Sequence, residues 1–238
     1  MIRLAALVWS ILAGAALADC RPVDHRGQGF VVCTADLSRD RISLHLTDPA
    51  GAVLGDFARL EAVVDGPVRF AMNGGMYHPD RTPVGLFVRD GVQRTPVVTR
   101  AGPGNFGMRP NGVLCIRDDA AFVRESRAFA ADPPACRDAT QSGPMLVVDG
   151  ALHPRFIPDS PYRNVRNGVG ATPDGRIVHF VISDRGVTFH EMATLFRDVL
   201  GVRDALYLDG RVSRLHAPAL GRSDPGRAMG PILAVTER

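Results

Sequence analysis

The first eighteen residues have the three parts of a secretory signal, and this feature constrains the rest of the chain more than any other. Arg3 supplies a positive start, Leu4–Leu17 is uncharged and largely apolar, and Ala16-Leu17-Ala18 is a typical cleavage site. The apolar stretch is shorter than the roughly 20 residues that span a bilayer. We therefore expect a signal peptide over residues 1–18, a periplasmic or secreted protein, and no stable membrane anchor after cleavage. The alternative is an uncleaved N-terminal anchor.

Four cysteines follow this segment, at positions 20, 33, 115 and 136. An even number of cysteines in an exported chain predicts disulfides, and four cysteines allow three pairings. We favour Cys20–Cys33 and Cys115–Cys136 because each pair closes a short loop. The sequence has neither C-x-x-C nor clustered His and Cys spacing of the kind that indicates zinc, so we expect no metal and no other cofactor.

The chain contains no lysine, so its 28 basic residues are all arginine. This composition excludes Schiff-base chemistry at a lysine and leaves many planar guanidinium groups suited to carboxylate or phosphate. The formal net charge is only +3, and the arginines are spread along the sequence. A nucleic-acid-binding protein would show a basic stripe, so we expect no nucleic-acid partner.

The first half of the mature chain has the pattern of short strands and hairpins. Alternating apolar residues and turn dipeptides predict these elements. They are strands within Gly29–Leu46, a helix over Phe57–Val64, a strand at Val68–Met72, a hairpin turn at Asp90-Gly91, and a second hairpin over residues 113–123.

The second half contains a strand–helix–strand pattern. Ile177–Ile182 is a nearly continuous apolar strand, Thr188 and Glu191 form a capping box before a helix, and Ala205–Leu208 is a second buried strand. The two strands of such a βαβ unit run parallel. We therefore predict an α+β fold with a mixed sheet and a βαβ unit in the C-terminal half.

Three carboxylates are candidate catalytic residues, because hydrolysis of a glycosidic bond generally uses two carboxyl groups. Asp184 and Asp209 each follow one strand of the βαβ unit. If those strands are neighbours, both side chains emerge at the carboxyl end of the sheet, where ligands bind in open α/β sheets. Glu191 is the third candidate, and its place in the capping box is the alternative explanation. Asp209-Gly210 also has the alternative of an ordinary turn.

Two short patterns occur twice in the chain. Arg81-x-x-Val84-Gly85 matches Arg166-x-x-Val169-Gly170, and Gly143-Pro144 matches Gly230-Pro231. If they are not chance, they predict two similar half-domains around a shared site; a solenoid would need at least three units. The repeated context makes Arg81 and Arg166 candidates for bidentate phosphate binding, although most arginines are simply solvated.

Asn73-Gly74-Gly75 directly follows a buried strand. Consecutive glycines allow positive φ and a close approach of a ligand to the backbone, and free N–H groups there can bind an anion. The alternative is a tight turn. Ser142, before Gly143, does not lie in the G-x-S-x-G arrangement of a nucleophilic serine. We interpret it as a loop serine that binds substrate or turns the chain.

Taken together, these motifs resemble those of the phosphodiester glycosidase family. The family's N-G-G-aromatic-aromatic run is similar to Asn73–Tyr77, its R-T-A-I-G run to Arg166–Gly170, and its D-G-G-G-S run to Asp209–Ser213. Arg81–Gly85 and Ser142–Pro144 complete the set. The order and spacing of the motifs carry the resemblance, and no single motif does.

The resemblance extends over most of residues 19–238 and implies a single phosphodiester glycosidase-like domain. It implies hydrolysis of the bond between a sugar's anomeric carbon and a phosphodiester, with a sugar phosphate or an envelope glycan as partner. Asp209 would be a catalytic or sugar-binding carboxylate, and Arg166 would hold phosphate. The full set of expected substrate contacts is Asn73, Gly74, Gly75, Arg81, Ser142, Gly143, Arg166, Asn167, Gly210 and Arg211.

Two departures from the family's pattern bear on the substrate. Arg211 and Val212 replace two glycines of the D-G-G-G-S run, and Asn167-Gly168 replaces T-A. Larger side chains at 211 and 212 narrow the pocket, and Arg211 can add a phosphate contact. We favour a hydrolase of an N-acetylhexosamine-1-phosphodiester. The alternatives are a non-catalytic envelope protein that binds glycan or anionic polymer, and a phosphodiesterase that attacks phosphorus.

Overall fold

The computed structural model describes residues 19–238, so the predicted signal peptide lies outside the described residues. Seventeen strands form three sheets of seven, five and five strands, and only a few short helices accompany them. The α+β class is therefore confirmed. None of the helices in the described part of the chain is long and apolar enough to cross a membrane.

The first sheet has seven strands. In spatial order they are β1 (Cys20–His25), β2 (Gln28–Asp36), β13 (Ile177–Ser183), β12 (Asn167–Ala171), β14 (Ala205–Asp209), β10 (Met145–Val148) and β11 (Ala151–Leu152). The second sheet has the order β16 (Arg222–Ser223), β15 (Leu215–Ala217), β4 (Val68–Asn73), β17 (Ile232–Glu237) and β3 (Asp40–His45). The third has the order β6 (Val92–Thr95), β5 (Phe87–Arg89), β9 (Asp138–Ser142), β7 (Gly112–Ile116) and β8 (Ala121–Glu125).

The helices are α1 (Phe57–Glu61), α2 (Ser126–Ala131) and α3 (Phe189–Thr194). A wider π-helical turn over Leu195–Val199 continues α3, and a 3-10 turn occupies Pro218–Leu220. The first helix ends at Glu61, three residues before the predicted end at Val64.

The main core lies where the three sheets meet. Its buried side chains include Phe180 from the first sheet, Phe70 from the second and Leu114 from the third. The rings of Phe70 and Phe180 meet edge to face with centroids 5.3 Å apart. A second cluster packs Met192 and Phe196 onto the opposite face of the first sheet. That sheet is therefore covered on both faces, which explains its nearly continuous apolar strands.

The expected disulfides are confirmed. Cys20 and Cys33 face each other across β1 and β2, and the bond joins them there. Cys115 of β7 is bonded to Cys136, which precedes β9. The hairpin predicted at Asp90-Gly91 is also confirmed, between β5 and β6, and both turn residues have positive φ (51° and 73°).

The strand–helix–strand prediction needs a correction. β13 and β14 run in the same direction, but they are not neighbours, because β12 lies between them and pairs with both in the antiparallel sense. Two glycines of β12 make this order possible: a Cβ on Gly168 or Gly170 would lie only 3.2 Å from the Phe196 ring that covers the sheet. Every strand pair in this sheet is antiparallel, so the described residues contain no βαβ unit, and the two half-domains remain a prediction.

The capping box is confirmed. Thr188 Oγ1 accepts from the Glu191 N–H at 3.1 Å, and a Glu191 carboxylate oxygen accepts from the Thr188 N–H at 2.8 Å. The helical segment ends before Gly201, whose φ of 65° suits the left-handed position after a helix.

Candidate active site

Two buried asparagines join the first and second sheets. Asn73 ends β4 and Asn167 begins β12, and both side chains are fully buried. Asn167 Nδ2 donates to Asn73 Oδ1 at 3.0 Å and to the Asn73 carbonyl at 3.1 Å, while Asn73 Nδ2 donates to Asn167 Oδ1 at 3.2 Å. The pair fixes the ends of two strands from different sheets beside each other.

The same two side chains support the loop that follows β14. The Asp209 N–H donates to Asn167 Oδ1 at 3.0 Å, and the Arg214 N–H donates to Asn73 Oδ1 at 2.9 Å. Within the loop, the Ser213 hydroxyl donates to the Asp209 carbonyl at 2.6 Å. Both ends of the 209–214 loop are therefore held by the asparagine pair. Asn73 and Asn167, expected as substrate contacts, have their polar atoms engaged in this support.

Asp209 is a buried carboxylate at the end of β14, 8% exposed. Its Oδ1 accepts from the N–H groups of Gly210 (2.5 Å) and Arg211 (2.8 Å). No arginine among the described residues forms an ion pair with it. Burial raises the pKa of Asp209, and the backbone N–H groups and Arg211 offset this only in part. Oδ1 is thus fixed in place, while Oδ2 has no hydrogen-bond partner within residues 19–238.

Asp209 opens onto a cavity of about 600 Å³, called here the Asp209 cavity, which lies between the ends of β4 and β14. Arg81, Arg211 and Arg227 line it together with Tyr77. None of these three arginines makes an ion pair with a described carboxylate. Asp209, Arg81 and Arg211 were predicted from the sequence as site residues, and the structure brings these three together.

Tyr77 is a wall of this cavity that sequence reasoning missed as a site residue, although it closes the Asn73–Tyr77 motif. Its ring packs directly on Gly230, where an added Cβ would lie 2.6 Å from the ring, and its hydroxyl donates to the Ala228 carbonyl at 3.0 Å. The Arg81 guanidinium lies 5.2 Å from the ring centroid, a cation–π distance. Arg227 follows Pro225-Gly226, and no sequence signal marked it.

Arg166 is 2% exposed and lies behind the Asp209-Gly210 turn. It donates to the carbonyls of Val187 (2.8 Å) and Tyr162 (3.1 Å), and its Cζ lies 3.7 Å from the centroid of the Phe189 ring. No carboxylate in the described chain balances its charge, and burial lowers its pKa. A Cβ added to Gly210 would lie 3.6 Å from Arg166 Nη1.

A second cavity of about 370 Å³ lies on the Arg166 side of the turn, and we call it the Arg166 cavity. Phe156, Tyr162, Phe189 and His190 line it with Arg166. The turn thus separates a cavity rich in arginine from one rich in aromatic side chains.

The two glycines after Asn73 serve packing. The Gly74 N–H, expected to be free for an anion, donates to the Pro231 carbonyl at 2.6 Å, and a Cβ there would lie 3.1 Å from Leu233. Gly75 has φ of 147°, and a Cβ would lie 2.8 Å from Thr140 Oγ1. Only glycine fits this approach of β4 to its neighbours.

Ser142 and Gly143 also have structural contacts. The Ser142 side chain is fully buried and its hydroxyl donates to the Leu208 carbonyl at 2.9 Å. A Cβ on Gly143 would lie 2.5 Å from the Asn111 Cβ. These contacts hold β14 one residue before Asp209, and the buried Ser142 hydroxyl is not accessible as a nucleophile.

Asp184 and Glu191 do not lie in the Asp209 cavity. The Asp184 side chain is 45% exposed, pairs with Arg222 at 3.5 Å, and faces a different cavity. Asp184 lies two strands from Asp209, about 10 Å at ordinary strand spacing, because β12 intervenes. Glu191 caps α3 and pairs with Arg163 at 2.9 Å. Burial opposes its ionisation, but the Thr188 hydrogen bond and Arg163 outweigh it and lower its pKa.

Within residues 19–238, no three His, Cys, Asp or Glu side chains converge in a way that would hold a metal ion.

Comparison with known proteins adds to this geometry. Residues 67–228 match the sequence model of the phosphodiester glycosidase family. The chain is 32% identical over 185 residues to the uncharacterised protein YigE of Escherichia coli K12, covering 77% of this chain and 72% of that protein.

Two solved structures have a similar fold. One is the zebrafish N-acetylglucosamine-1-phosphodiester alpha-N-acetylglucosaminidase catalytic domain, auto-inhibited by its pro-peptide, with a TM-score of 0.62 and 16% identity over 92% of this chain and 82% of that one. The other is a hypothetical protein from Synechocystis, with a TM-score of 0.58 and 14% identity over 92% of this chain and 61% of that one. At these identities the likeness is one of fold alone.

Proposed function

Because the chain belongs to the phosphodiester glycosidase family, we propose that it is an exported hydrolase that cleaves the bond between a sugar's anomeric carbon and a phosphodiester. The proposed substrate is an N-acetylhexosamine-1-phosphodiester, the class named for the zebrafish enzyme of similar fold. One observation carries the proposal: the buried Asp209 carboxylate has no arginine ion pair and opens onto a cavity lined by three arginines.

A single carboxylate beside several cations suits a phosphate leaving group. Most glycosidases need a second carboxyl group as a general acid, because a sugar alkoxide leaves poorly. A phosphate monoester has a second pKa of about 6, so it departs at neutral pH without protonation. Asp209 is the only carboxylate among the described residues that line the cavity. The reaction proposed here needs no other.

Asp209 would supply the attacking electrons, either directly at the anomeric carbon or by deprotonating water. Two N–H groups hold Oδ1, and Oδ2 is left without a protein partner. Burial weakens the solvation of the ionised form and so makes the carboxylate a better base. The asparagine pair fixes the start of the loop and thereby the position of this side chain.

Arg81 would hold the phosphate, and the other arginines would add positive charge around it. Arg81 is fixed by a hydrogen bond to the Pro79 carbonyl at 2.8 Å and by the Tyr77 ring. Its side chain therefore loses little conformational entropy when it binds phosphate. Arg211 lies next to the carboxylate in sequence. The buried Arg166 would act from behind the turn, where an unbalanced charge in a low-dielectric environment has a strong field.

Export rests on two features of the chain. The N-terminal eighteen residues have the pattern of a signal peptide, and two disulfides staple the described domain. Disulfides persist in oxidising compartments and are rare in the bacterial cytosol. We place the mature domain, residues 19–238, in the periplasm or outside the cell.

A non-catalytic binding protein is the second candidate, and one observation favours it. Val212 packs against the apolar cluster around Phe57, so the loop after Asp209 has an apolar contact that a glycine would not make. A loop anchored in this way would bind a ligand but would not change its conformation during a reaction. Binding without turnover would identify this function.

The test is release of free sugar from N-acetylglucosamine-1-phosphodiesters by residues 19–238 in water labelled with oxygen-18. We expect turnover with the label in the sugar, loss of turnover in Asp209→Asn, and retention of turnover in Asp184→Asn, the matched carboxylate outside the cavity. Label in the phosphate would instead mean attack at phosphorus. Binding of sugar phosphate with no turnover would favour the binding protein.

A further inference from the structure

The Asp209 cavity contains more positive charge than one phosphodiester can balance. Arg81, Arg211 and Arg227 contribute three positive charges, and Asp209 is the one carboxylate in the described lining. The protein groups therefore leave a net charge of two positive units. A phosphodiester carries one negative charge, so binding it alone would leave one positive charge of the lining unbalanced.

Several arginines outside this cavity are paired with carboxylates. Arg89 pairs with Asp90 at 3.3 Å, and Arg222 pairs with Asp224 at 2.9 Å and with Asp184 at 3.5 Å. All three arginines of the Asp209 cavity lack such a partner among the described residues, so unpaired positive charge is concentrated there. Arginine without a protein carboxylate is typical of a site that receives an anion.

Arg211 is the arginine of this group that is nearest to Asp209 in the chain. Its backbone N–H donates to Asp209 Oδ1 at 2.8 Å, so its side chain extends from backbone that is held at the carboxylate of the proposed reaction. The side chain itself is exposed and has no hydrogen bond to the described protein. It stands where the family's pattern has a glycine, so this cation is an addition to that pattern.

We infer that the substrate carries a second anionic group close to the scissile phosphodiester, and that Arg211 selects for it. The inference rests on the proposed function and narrows its substrate class to glycosyl phosphodiesters with an additional carboxylate or phosphate, such as a unit of a sugar-phosphate polymer. Arg81 holds the scissile phosphate beside Tyr77. Arg211 and Arg227 hold the second anion. The Asp209 cavity therefore binds polyanionic substrates more tightly than simple alkyl diesters.

The experiment compares two substrates that differ by one charge. Both are phosphodiesters of N-acetylglucosamine 1-phosphate, one with 3-hydroxypropanoate and the other with the isosteric 3-hydroxypropanamide. We expect the parent chain to show a kcat/KM about fivefold higher for the carboxylate, the size of one solvent-exposed ion pair. The ratio should fall to about one in Arg211→Gln and on raising the salt to about 1 M, where the screening length is about 3 Å.

Arg94→Gln is the matched control, because Arg94 is an exposed arginine that lines a different cavity and makes no ion pair with a described carboxylate. It should retain the fivefold preference. A third diester bearing a terminal phosphate separates the two sources of the second charge. Equal kcat/KM for the amide and both anionic diesters in the parent chain, or an undiminished preference in Arg211→Gln, would overturn the inference.

A binding measurement keeps the inference testable even without turnover. C-glycosyl phosphonate monoesters with the same two tails have no cleavable anomeric bond, and calorimetry gives a Kd for each. Tighter binding of the carboxylate analogue, lost in Arg211→Gln, supports the inference whatever the outcome for hydrolysis. Equal Kd values overturn it, and they do so independently of whether the proposed hydrolysis is observed.

Discussion

Asn167 and Asn73 are joined by three hydrogen bonds although 94 residues separate them in the chain. Their oxygens also accept the N–H groups of Asp209 and Arg214, so one pair of amides supports two strands and both ends of a loop. The position of the proposed catalytic carboxylate therefore depends on a contact between two sheets.

Removing this contact should destabilise the fold. In Asn167→Ala the Asp209 N–H and the Asn73 amide lose their acceptor in a fully buried place, and each unsatisfied buried group costs about 1 to 3 kcal/mol. We expect a loss of about 3 kcal/mol in the free energy of unfolding, measured by chemical denaturation. Asn164→Ala, which removes an exposed amide with no described hydrogen bond, should cost less than about 0.5 kcal/mol. Equal stabilities of the two variants would contradict the role given to Asn167.

Asp209→Asn should separate activity from stability. We expect kcat/KM to fall about 10³-fold or more, because the amide is neither base nor nucleophile. In the parent chain kcat/KM should rise with pH through a pKa above the ordinary aspartate value of about 3.9, since burial raises the pKa of Asp209. A variant with more than a tenth of the parent activity would exclude Asp209 as the catalytic group.

The same substitution has a pH-dependent effect on folding whose sign follows from linkage. A carboxyl group with a raised folded-state pKa stabilises the fold while protonated and loses that contribution as pH rises through the folded pKa. Asparagine keeps the acceptor for Gly210 and Arg211 without the charge. The melting temperature of Asp209→Asn relative to the parent should therefore be higher at pH 8 than at pH 4.

His45 should make the protein sensitive to acid. Its side chain is 5% exposed, and burial, assisted by the nearby Arg89, lowers its pKa to about 4. The folded state therefore resists protonation that the unfolded state accepts near pH 6.5, so stability falls as pH drops from 6.5 towards 4. The expected loss is up to about 3 kcal/mol. The free energy of unfolding, measured by denaturation across this pH range, should depend less steeply on pH in His45→Gln than in the parent chain. An unchanged pH dependence would assign the acid sensitivity to other groups.

Glu191 should prove to be a structural residue. Glu191→Ala removes the side chain that accepts from the Thr188 N–H, and loss of such a cap costs about 1 kcal/mol. Glu191→Gln keeps an acceptor oxygen and should lie within about 0.5 kcal/mol of the parent. Neither variant should change kcat, because the side chain lies outside the Asp209 cavity. A large loss of kcat in Glu191→Gln, with stability retained, would restore it as a catalytic candidate.

Local rules were enough to predict much of this fold. The short loops between cysteines predicted both disulfides, the Asp90-Gly91 dipeptide predicted a hairpin turn, and Thr188 with Glu191 predicted the helix start. Each of these features depends on residues that are close in sequence. Such residues can adopt few other local conformations. Asp209 was identified as a candidate for the same reason, because it ends a clearly buried strand.

Strand order and side-chain partners could not be obtained in this way. The insertion of β12 between β13 and β14 depends on Gly168 and Gly170 fitting under Phe196, a contact between segments about 26 residues or more apart. The sequence shows both glycines, but it does not show which aromatic ring packs against them. The separation of Asp184 from Asp209 follows from this one insertion, which places the two carboxylates in different cavities.

Gly210 lies in the turn that separates the two cavities, and its substitution gives the sharpest test of their arrangement. A Cβ at this position would collide with the Tyr207 hydroxyl, which itself accepts from Arg166 Nη1 at 3.4 Å. Gly210→Ala should therefore displace the Asp209 turn or the Tyr207 ring, and we expect kcat/KM to fall at least about tenfold, because small misplacements of a catalytic group are costly.

Removal of the Tyr207 hydroxyl should relieve the collision. In the double variant Gly210→Ala/Tyr207→Phe the ring has no oxygen at the point of contact, so activity should recover to near that of Tyr207→Phe alone. Recovery would be a coupling between residues in direct contact, measured as a double-mutant cycle on kcat/KM. If the two effects were simply additive, the loss in Gly210→Ala would come from the backbone of the turn and not from contact with the Tyr207 hydroxyl.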